Sequence, residues 1–420
     1  MGCCHSYPKR RGTYKTSEPI KKINQTPESY SPNTKPEILK MMGETQKEVD
    51  YPESFILTDK STKIPPEIKH YGPAYYKYSN EFAHFLDYSG QGYGFIIDGD
   101  WCKDRNYTIA EVFSGHAAQP ACMELPASPE EQKLFWGLMG FPYCQKFFAD
   151  PMNENYMSED DMKDTIKYTL CTLGQPVIVP QSDYFTGSII IGYKDNGNIL
   201  VAYRYLPYFM DMNNNAQSVT GEVKDWYKND ASLFIAGKRD NVLSLVEVYR
   251  EGSRLIGEQL AENVRGEKQR YYNDWESFLR LSKEEMISFV KRTKLVPGGE
   301  QYHCDIEETT AENVWKIIYE SHNNTWCIMA EARYYVMNFF RQMKEYFPEL
   351  LEELNELDNH FYYTQDIMGG RYNKEIEDPV KPEIFEKQEV RNRMADCVRA
   401  FKEADTKGLD LIEKFLTRLA

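Results

Sequence analysis

No stretch of the chain approaches the roughly eighteen consecutive apolar residues that a membrane-spanning helix needs. No Cys-x-x-Cys pair occurs among the nine cysteines, which argues against a zinc ribbon or a thioredoxin-type redox pair. Their number is odd and their spacing irregular, and the N-terminus lacks an apolar h-region. Free thiols in a reducing compartment are therefore expected. Positive charge is short as well. Lys and Arg number 50 against 65 Asp and Glu, a net of -15, which argues against a protein that coats nucleic acid. His303-Cys304-Asp305 and Glu307 have no second ligand pair at useful spacing. No metal and no other cofactor is expected. Gly90-Gln-Gly-Tyr-Gly94 has no strong strand before it, and Ile96-Ile97-Asp98 follows in place of a helix. It reads as a turn in an aromatic-rich entry segment, not as a phosphate loop.

What is present is ample apolar material. Hydrophobic residues make up 41% and aromatics 14% of the 420 residues, enough for one or two cores and two to three domains. Disorder of the whole chain is excluded.

The first fifty residues stand apart. Met1-Gly2-Cys3-Cys4-His5-Ser6 fits the acceptor pattern for N-myristoylation at Gly2, with Cys3 and Cys4 placed for S-acylation. One acyl chain holds a protein to a bilayer only reversibly, so a second chain or a basic patch normally accompanies it. Residues 1–22 carry Lys9, Arg10, Arg11, Lys15, Lys21 and Lys22 against Glu18, a net of +5, which leaves -20 on the remainder. Residues 12–50 are rich in Pro, Ser, Thr, Lys and Glu and read as a solvated tether. The expected partner is a membrane surface. In a eukaryotic source the chain belongs on the cytoplasmic face of a membrane; without the transferase it belongs in the cytoplasm.

Residues 51–235 mix periods. Ser114-Gly115-His116 opens a short helix to Leu125. Ser128-Pro-Glu-Glu131 has the N-cap, N1 proline and N3 acid of a second. A third starts at Ser158-Glu-Asp-Asp161, carries Met162, Ile166, Leu170 and Leu173 on one face, and stops at Gly174. The period then changes. Pro176-Val-Ile-Val-Pro180 and Ser188-Ile-Ile-Ile-Gly-Tyr193 read as strands. Asp195-Asn-Gly-Asn198 is a tight turn, and Ile199-Leu-Val-Ala-Tyr203 completes a hairpin.

This succession of helices, Gly-Gln-Pro-Val-Ile-Val-Pro and Ile-Ile-Ile-Gly-Tyr-Lys-Asp-Asn-Gly-Asn-Ile-Leu-Val resembles the second half of a papain-like cysteine-peptidase domain. The similarity is to the bacteriocin-processing peptidase-like and butirosin-biosynthesis acyltransferase-like families. Tyr271-Tyr-Asn-Asp-Trp275 and the helix holding Trp326 and Glu331-Ala-Arg333 resemble the helical half of some bacterial members. The resemblance covers roughly residues 105–345. It implies an α+β fold: a papain-like domain with a small antiparallel sheet, joined to a mainly helical half.

The resemblance also implies a cysteine at the start of the first helix, a histidine six residues before the strand glycine, and an Asp or Asn after the next strand. Thiol chemistry needs all three, because a base must ionise the sulfur and a third group must orient the base. This chain has Ser114, Thr186 and Tyr203 at those positions, and none of the three supplies the required chemistry. Two substitutes exist. Cys122 or Cys144 is a candidate nucleophile, and His116 a candidate base whose charged form a helix start disfavours.

From residue 236 to 420 the helical period dominates. Leu245, Tyr249, Ile256 and Leu260 share a face, as do Trp326, Met329, Val336, Phe340, Met343 and Phe347. Leu350, Leu354, Leu357 and Phe361 follow Pro348, and Val398, Phe401, Ile412, Phe415 and Leu419 mark the last helices, interrupted at Gly408. Three to six packed helices are expected. His322, before Asn323-Asn324-Thr325, reads as part of a helix-start turn, and His360 as the edge of the Leu stripe. Glu349, Glu352, Glu353 and Glu356 form a solvated acidic face.

Three readings follow. The chain is a lipid-anchored, non-catalytic papain-like protein binding a peptide or small molecule. Or it is a thiol hydrolase or acyltransferase with relocated catalytic residues. Or it is a membrane scaffold whose acidic helical half docks a basic partner.

Overall fold

The computed structural model describes residues 50–61, 69–71, 77–98, 101–118, 135–141, 144–153, 155–178, 188–205, 218–227, 232–240, 242–297, 309–367 and 382–419. The described residues divide into two compact units: those within 50–110 and 135–245, and those within 111–118 and 246–419. Residues 111–118, placed by sequence in the 51–235 domain, group with the C-terminal helices. The fold is mixed α+β, with a small antiparallel sheet and a helical C-terminal half.

The sheet unit contains β1 (Phe55–Ile56), β2 (Lys69–Tyr71), α1 (Lys77–Tyr88), β3 (Phe95–Asp98), β4 (Trp101–Asp104), β5 (Cys144–Phe148), α3 (Glu159–Tyr168), β6 (Val177–Ile178), β7 (Ser188–Lys194), β8 (Ile199–Tyr205), β9 (Ser218–Lys224) and β10 (Ser232–Ala236). Helix α2 (Arg105–Phe113) leads out of β4. The main sheet runs β5-β10-β6-β7-β8-β9, every pair antiparallel, and β1 adds to β7. A second sheet has the order β2-β4-β3.

Local chemistry explains the elements read from sequence. Ser158 caps α3 by accepting from the Asp161 amide at 3.3 Å, and Glu159, Asp160 and Asp161 fill the first turn. Gly174 ends the extended turn with φ 65°. Asp195 and Asn196 take φ 50° and 52°, the left-handed turn that closes β7 onto β8. Strand β7 carries an irregularity between Ile190 and Gly192. Beyond it β1 approaches so closely that a Cβ on Gly192 would sit 2.5 Å from the Phe55 carbonyl oxygen. Only glycine admits that neighbour.

Helix α1 lies on β6 and β7. Its buried Phe82 meets Phe135 at 4.6 Å and Trp136 at 4.8 Å, and Trp136 stacks on Phe234 of β10 at 5.0 Å. Aromatic pairs of this kind add about 0.5–1.5 kcal/mol each beyond their burial.

The helical unit holds α4 (Leu245–Val264), α5 (Gln269–Leu279), α6 (Lys283–Thr293), α7 (Ala311–Met343), α8 (Leu351–Asp366), α9 (Pro382–Phe385) and α10 (Gln388–Leu419). Helix α8 packs on α7, and α10 on α5 and α8. Two expectations are corrected here. Gly408 does not interrupt the last helix, because α10 runs unbroken through it. A Cβ there would meet the Phe361 ring at 3.0 Å and the His360 ring at 3.1 Å, so the glycine serves close packing. His322 is not in a helix-start turn. It lies in the middle of α7, whose cap is Thr310, and Thr325 satisfies its hydroxyl on the Ser321 carbonyl at 2.9 Å. Polar residues in Asn323-Asn324-Thr325 mimic a cap while the apolar face continues past them.

Candidate functional site

The strand pair behind the resemblance, β7 and β8, positions Tyr203. Its ring meets Tyr88 at 5.0 Å and His84 at 6.3 Å, both edge-on and both from α1. Helical spacing of four residues puts His84 and Tyr88 on one face of α1, and that face looks at β8. The Tyr88 hydroxyl donates to the Leu57 carbonyl at 3.0 Å. Burial, with Asp59 and Tyr203 nearby, pushes its pKa up to about 12, so it is neutral at physiological pH. His84 is buried. Sequence reasoning missed it, although its four-residue offset from Tyr88 and its place in an aromatic run were visible. Helix α1 itself contains no cysteine.

The other expected positions lie elsewhere. Ser114 is not at a helix start but in the turn after α2, where its hydroxyl donates to the Glu111 carbonyl at 3.3 Å. His116 opens a single 3-10 turn, His116–Ala118, in the helical unit, and its Nδ1 stands 4.0 Å from Glu111. Burial lowers its pKa to about 4, so its neutral form dominates. That turn is held by two buried side chains: Arg333 donates to the Ala117 carbonyl at 3.2 Å, and Asn263 donates to the Ala118 carbonyl. His116 thus sits in a structural turn that buried polar side chains satisfy. Cys144 begins β5 opposite Ala236, so its backbone belongs to the sheet. Thr186, Cys122, Gly2, Cys3, Cys4, His303, Cys304, Asp305 and Glu307 lie outside the described residues. Of the three degenerate positions, Tyr203 belongs to the sheet unit and Ser114 to the helical unit.

Two further histidines are built into the helical core. His322 Nδ1 accepts from the Trp275 indole at 3.2 Å, and its ring stacks on Phe385 at 4.8 Å. Burial lowers its pKa to about 3. His360 Nε2 lies 2.8 Å from the Ala404 carbonyl, which fixes the proton on that nitrogen, and burial lowers its pKa as well. Among the described residues, no group of three or more His, Cys, Asp or Glu is placed to hold a metal ion. Among the same residues, no helix is long and apolar enough to cross a membrane. The described free thiols are Cys171, Cys327 and Cys397. Cys171 faces the Tyr193 hydroxyl at 3.5 Å, and burial raises its pKa, which opposes thiolate formation.

No protein-family model matches the chain, and no curated protein or solved structure matches it.

Proposed function

We propose that the chain is a non-catalytic protein on a papain-like scaffold, tethered to a membrane by its N-terminus, that binds a peptide or small molecule. The observation that carries this reading is the packing of Tyr203 edge-on against Tyr88 and His84, on a helix that contains no cysteine. At the position where the resemblance expects an orienting carboxylate or amide, Tyr203 offers a ring packed against two others, which cannot hold a catalytic imidazole in its tautomer as a carboxylate does. Tyr88, neutral and hydrogen-bonded to the Leu57 carbonyl, points the same way.

The test uses the full-length chain with a thiol-directed activity probe, then a panel of peptide and acyl substrates. The expected result is uniform slow labelling of the cysteines and no turnover. Selective labelling of Cys144 or Cys122, with turnover that ends on its replacement by serine, overturns the reading in favour of a hydrolase or acyltransferase.

A scaffold role has its own support in α8. Glu352, Asn355, Glu356, Asn359, Tyr362 and Tyr363 are all exposed along one helix, and an acidic, aromatic surface of that kind suits a basic partner. Capture of a basic peptide that survives replacement of Tyr203 but is lost on Glu352→Lys with Glu356→Lys favours that role.

A further inference from the structure

Arg239 follows β10 and reaches back to the Gly90–Gly94 loop of the same unit. The two glycines at its ends take φ 69° and 77°, which folds the loop so that Gln91 and Tyr93 face the guanidinium. Arg239 Nε donates to the Met139 carbonyl at 2.9 Å, Nη2 to the Tyr93 hydroxyl at 3.1 Å, and Nη1 to the Gln91 carbonyl. Its guanidinium carbon lies 5.4 Å from the Tyr93 ring centre and 5.7 Å from that of Phe141.

All these partners are neutral. Among the described residues no carboxylate pairs with Arg239, whereas the fully buried Arg333 has Asp405. Desolvation lowers the Arg239 pKa, and only Tyr93 opposes the shift, yet a guanidinium stays charged at neutral pH. A charge withdrawn from water without a counter-charge is unfavourable, and an arriving anion relieves the penalty. Three of the five guanidinium N–H groups are committed, which leaves one on each terminal nitrogen. Each of these can donate to a carboxylate or phosphate oxygen. Arg239 as a residue is only partly buried, so it is not sealed in the core as Arg333 is.

We propose that Arg239 is the binding residue of an oxyanion site, which takes the carboxylate or phosphate group of a small ligand beside Tyr93 and Phe141. The site does not depend on the papain-like reading, since none of its residues belongs to the expected triad.

The experiment exposes the full-length protein to phenylglyoxal, which modifies accessible guanidinium groups, and maps adducts by mass spectrometry. Inorganic phosphate, succinate and sodium chloride are compared at equal ionic strength. The expected result is that one or both oxyanions slow modification of Arg239, by about tenfold at ten times the Kd, while chloride does not. Protection by phosphate alone assigns a phosphoryl ligand, and protection by succinate alone a carboxylate. Thermal shift in the same buffers gives the Kd. Phosphate also stabilises proteins by exclusion from their surface, so the shift is read against Arg239→Met, in which the ligand-specific part disappears. Equal modification of Arg239 with and without both oxyanions overturns the proposal, whether or not the variant folds.

Discussion

Arg333 and Asp405 form an ion pair that water does not reach: Nε meets Oδ1 at 2.8 Å and Nη2 meets Oδ2 at 2.5 Å, with both side chains 0% exposed. The Tyr272 hydroxyl donates to the same Oδ2 at 2.5 Å, and the Phe401 ring centre lies 5.0 Å from the guanidinium carbon. One charge pair thus joins α5, α7, α10 and the turn that carries His116. Loss of either partner leaves a buried charge uncompensated. Arg333→Met or Asp405→Asn is expected to destabilise the helical unit by about 3–5 kcal/mol, and the apolar double replacement Arg333→Met with Asp405→Leu by much less. Urea unfolding followed by circular dichroism measures both. Equal losses in the single and double variants would contradict the pairing.

That pair was invisible in the sequence. Arg333 and Asp405 sit 72 positions apart, each inside a helix whose apolar face is legible and whose polar exceptions are not. The hairpin at Asp195-Asn196-Gly197 was legible, because its conformation is set by three adjacent residues. The strand Ser232-Leu-Phe-Ile-Ala236 was not. It is buried throughout, so it shows no alternation, and a short apolar run looks the same in a helix. Sequence spacing also placed Ser114 at a helix start, whereas the helix that meets the sheet beside Tyr203 is α1, hidden within an aromatic run. Contacts between distant segments decide such assignments, and a single sequence does not encode them locally.

Gly192 makes room for β1. Gly192→Ala drives a methyl group against the Phe55 carbonyl and the Ile56 backbone, neither of which is the flexible end of a side chain. The expected cost is about 1–3 kcal/mol, with faster amide exchange at Leu57, whose N–H bonds the Ile191 carbonyl at 2.7 Å. Hydrogen exchange checks it. Unchanged protection at Leu57 would show that β1 tolerates the methyl.

Acid should weaken the helical unit earlier than carboxylate titration alone predicts. Burial lowers His116 to about 4 and His322 to about 3, against an ordinary value of 6.5. Above pH 6.5 both are neutral in the folded and unfolded chain, and neither contributes a pH slope. Below it the unfolded chain takes up protons that the folded chain refuses, so stability falls as pH drops from about 6.5 towards 4 for His116 and 3 for His322. Each contributes a slope of about 1.4 kcal/mol per pH unit inside its window. His322→Gln should reduce the slope between pH 6 and 4 by that amount, measured by urea midpoints across the range. An unaltered slope would place the imidazole in water.

The proposed membrane attachment makes a prediction in which lipid and charge act together. A myristoyl group on Gly2 alone gives reversible binding, and the net +5 of residues 1–22 adds on the order of 1 kcal/mol per basic residue near an anionic leaflet. On the proposed attachment, the remaining -20 would be repelled by the same leaflet, a repulsion that salt screens over about 8–10 Å. Labelling with an alkynyl myristate analogue in a eukaryotic host should tag the full chain and not Gly2→Ala. An alkynyl palmitate should tag it through Cys3 or Cys4, and not the double variant Cys3→Ser with Cys4→Ser. Replacing Lys9, Arg10 and Arg11 with Gln should release the singly acylated Cys3→Ser, Cys4→Ser chain from vesicles rich in phosphatidylserine, yet leave the doubly acylated chain bound. Release of both chains alike would mean that charge, and not the second acyl group, provides the lasting attachment.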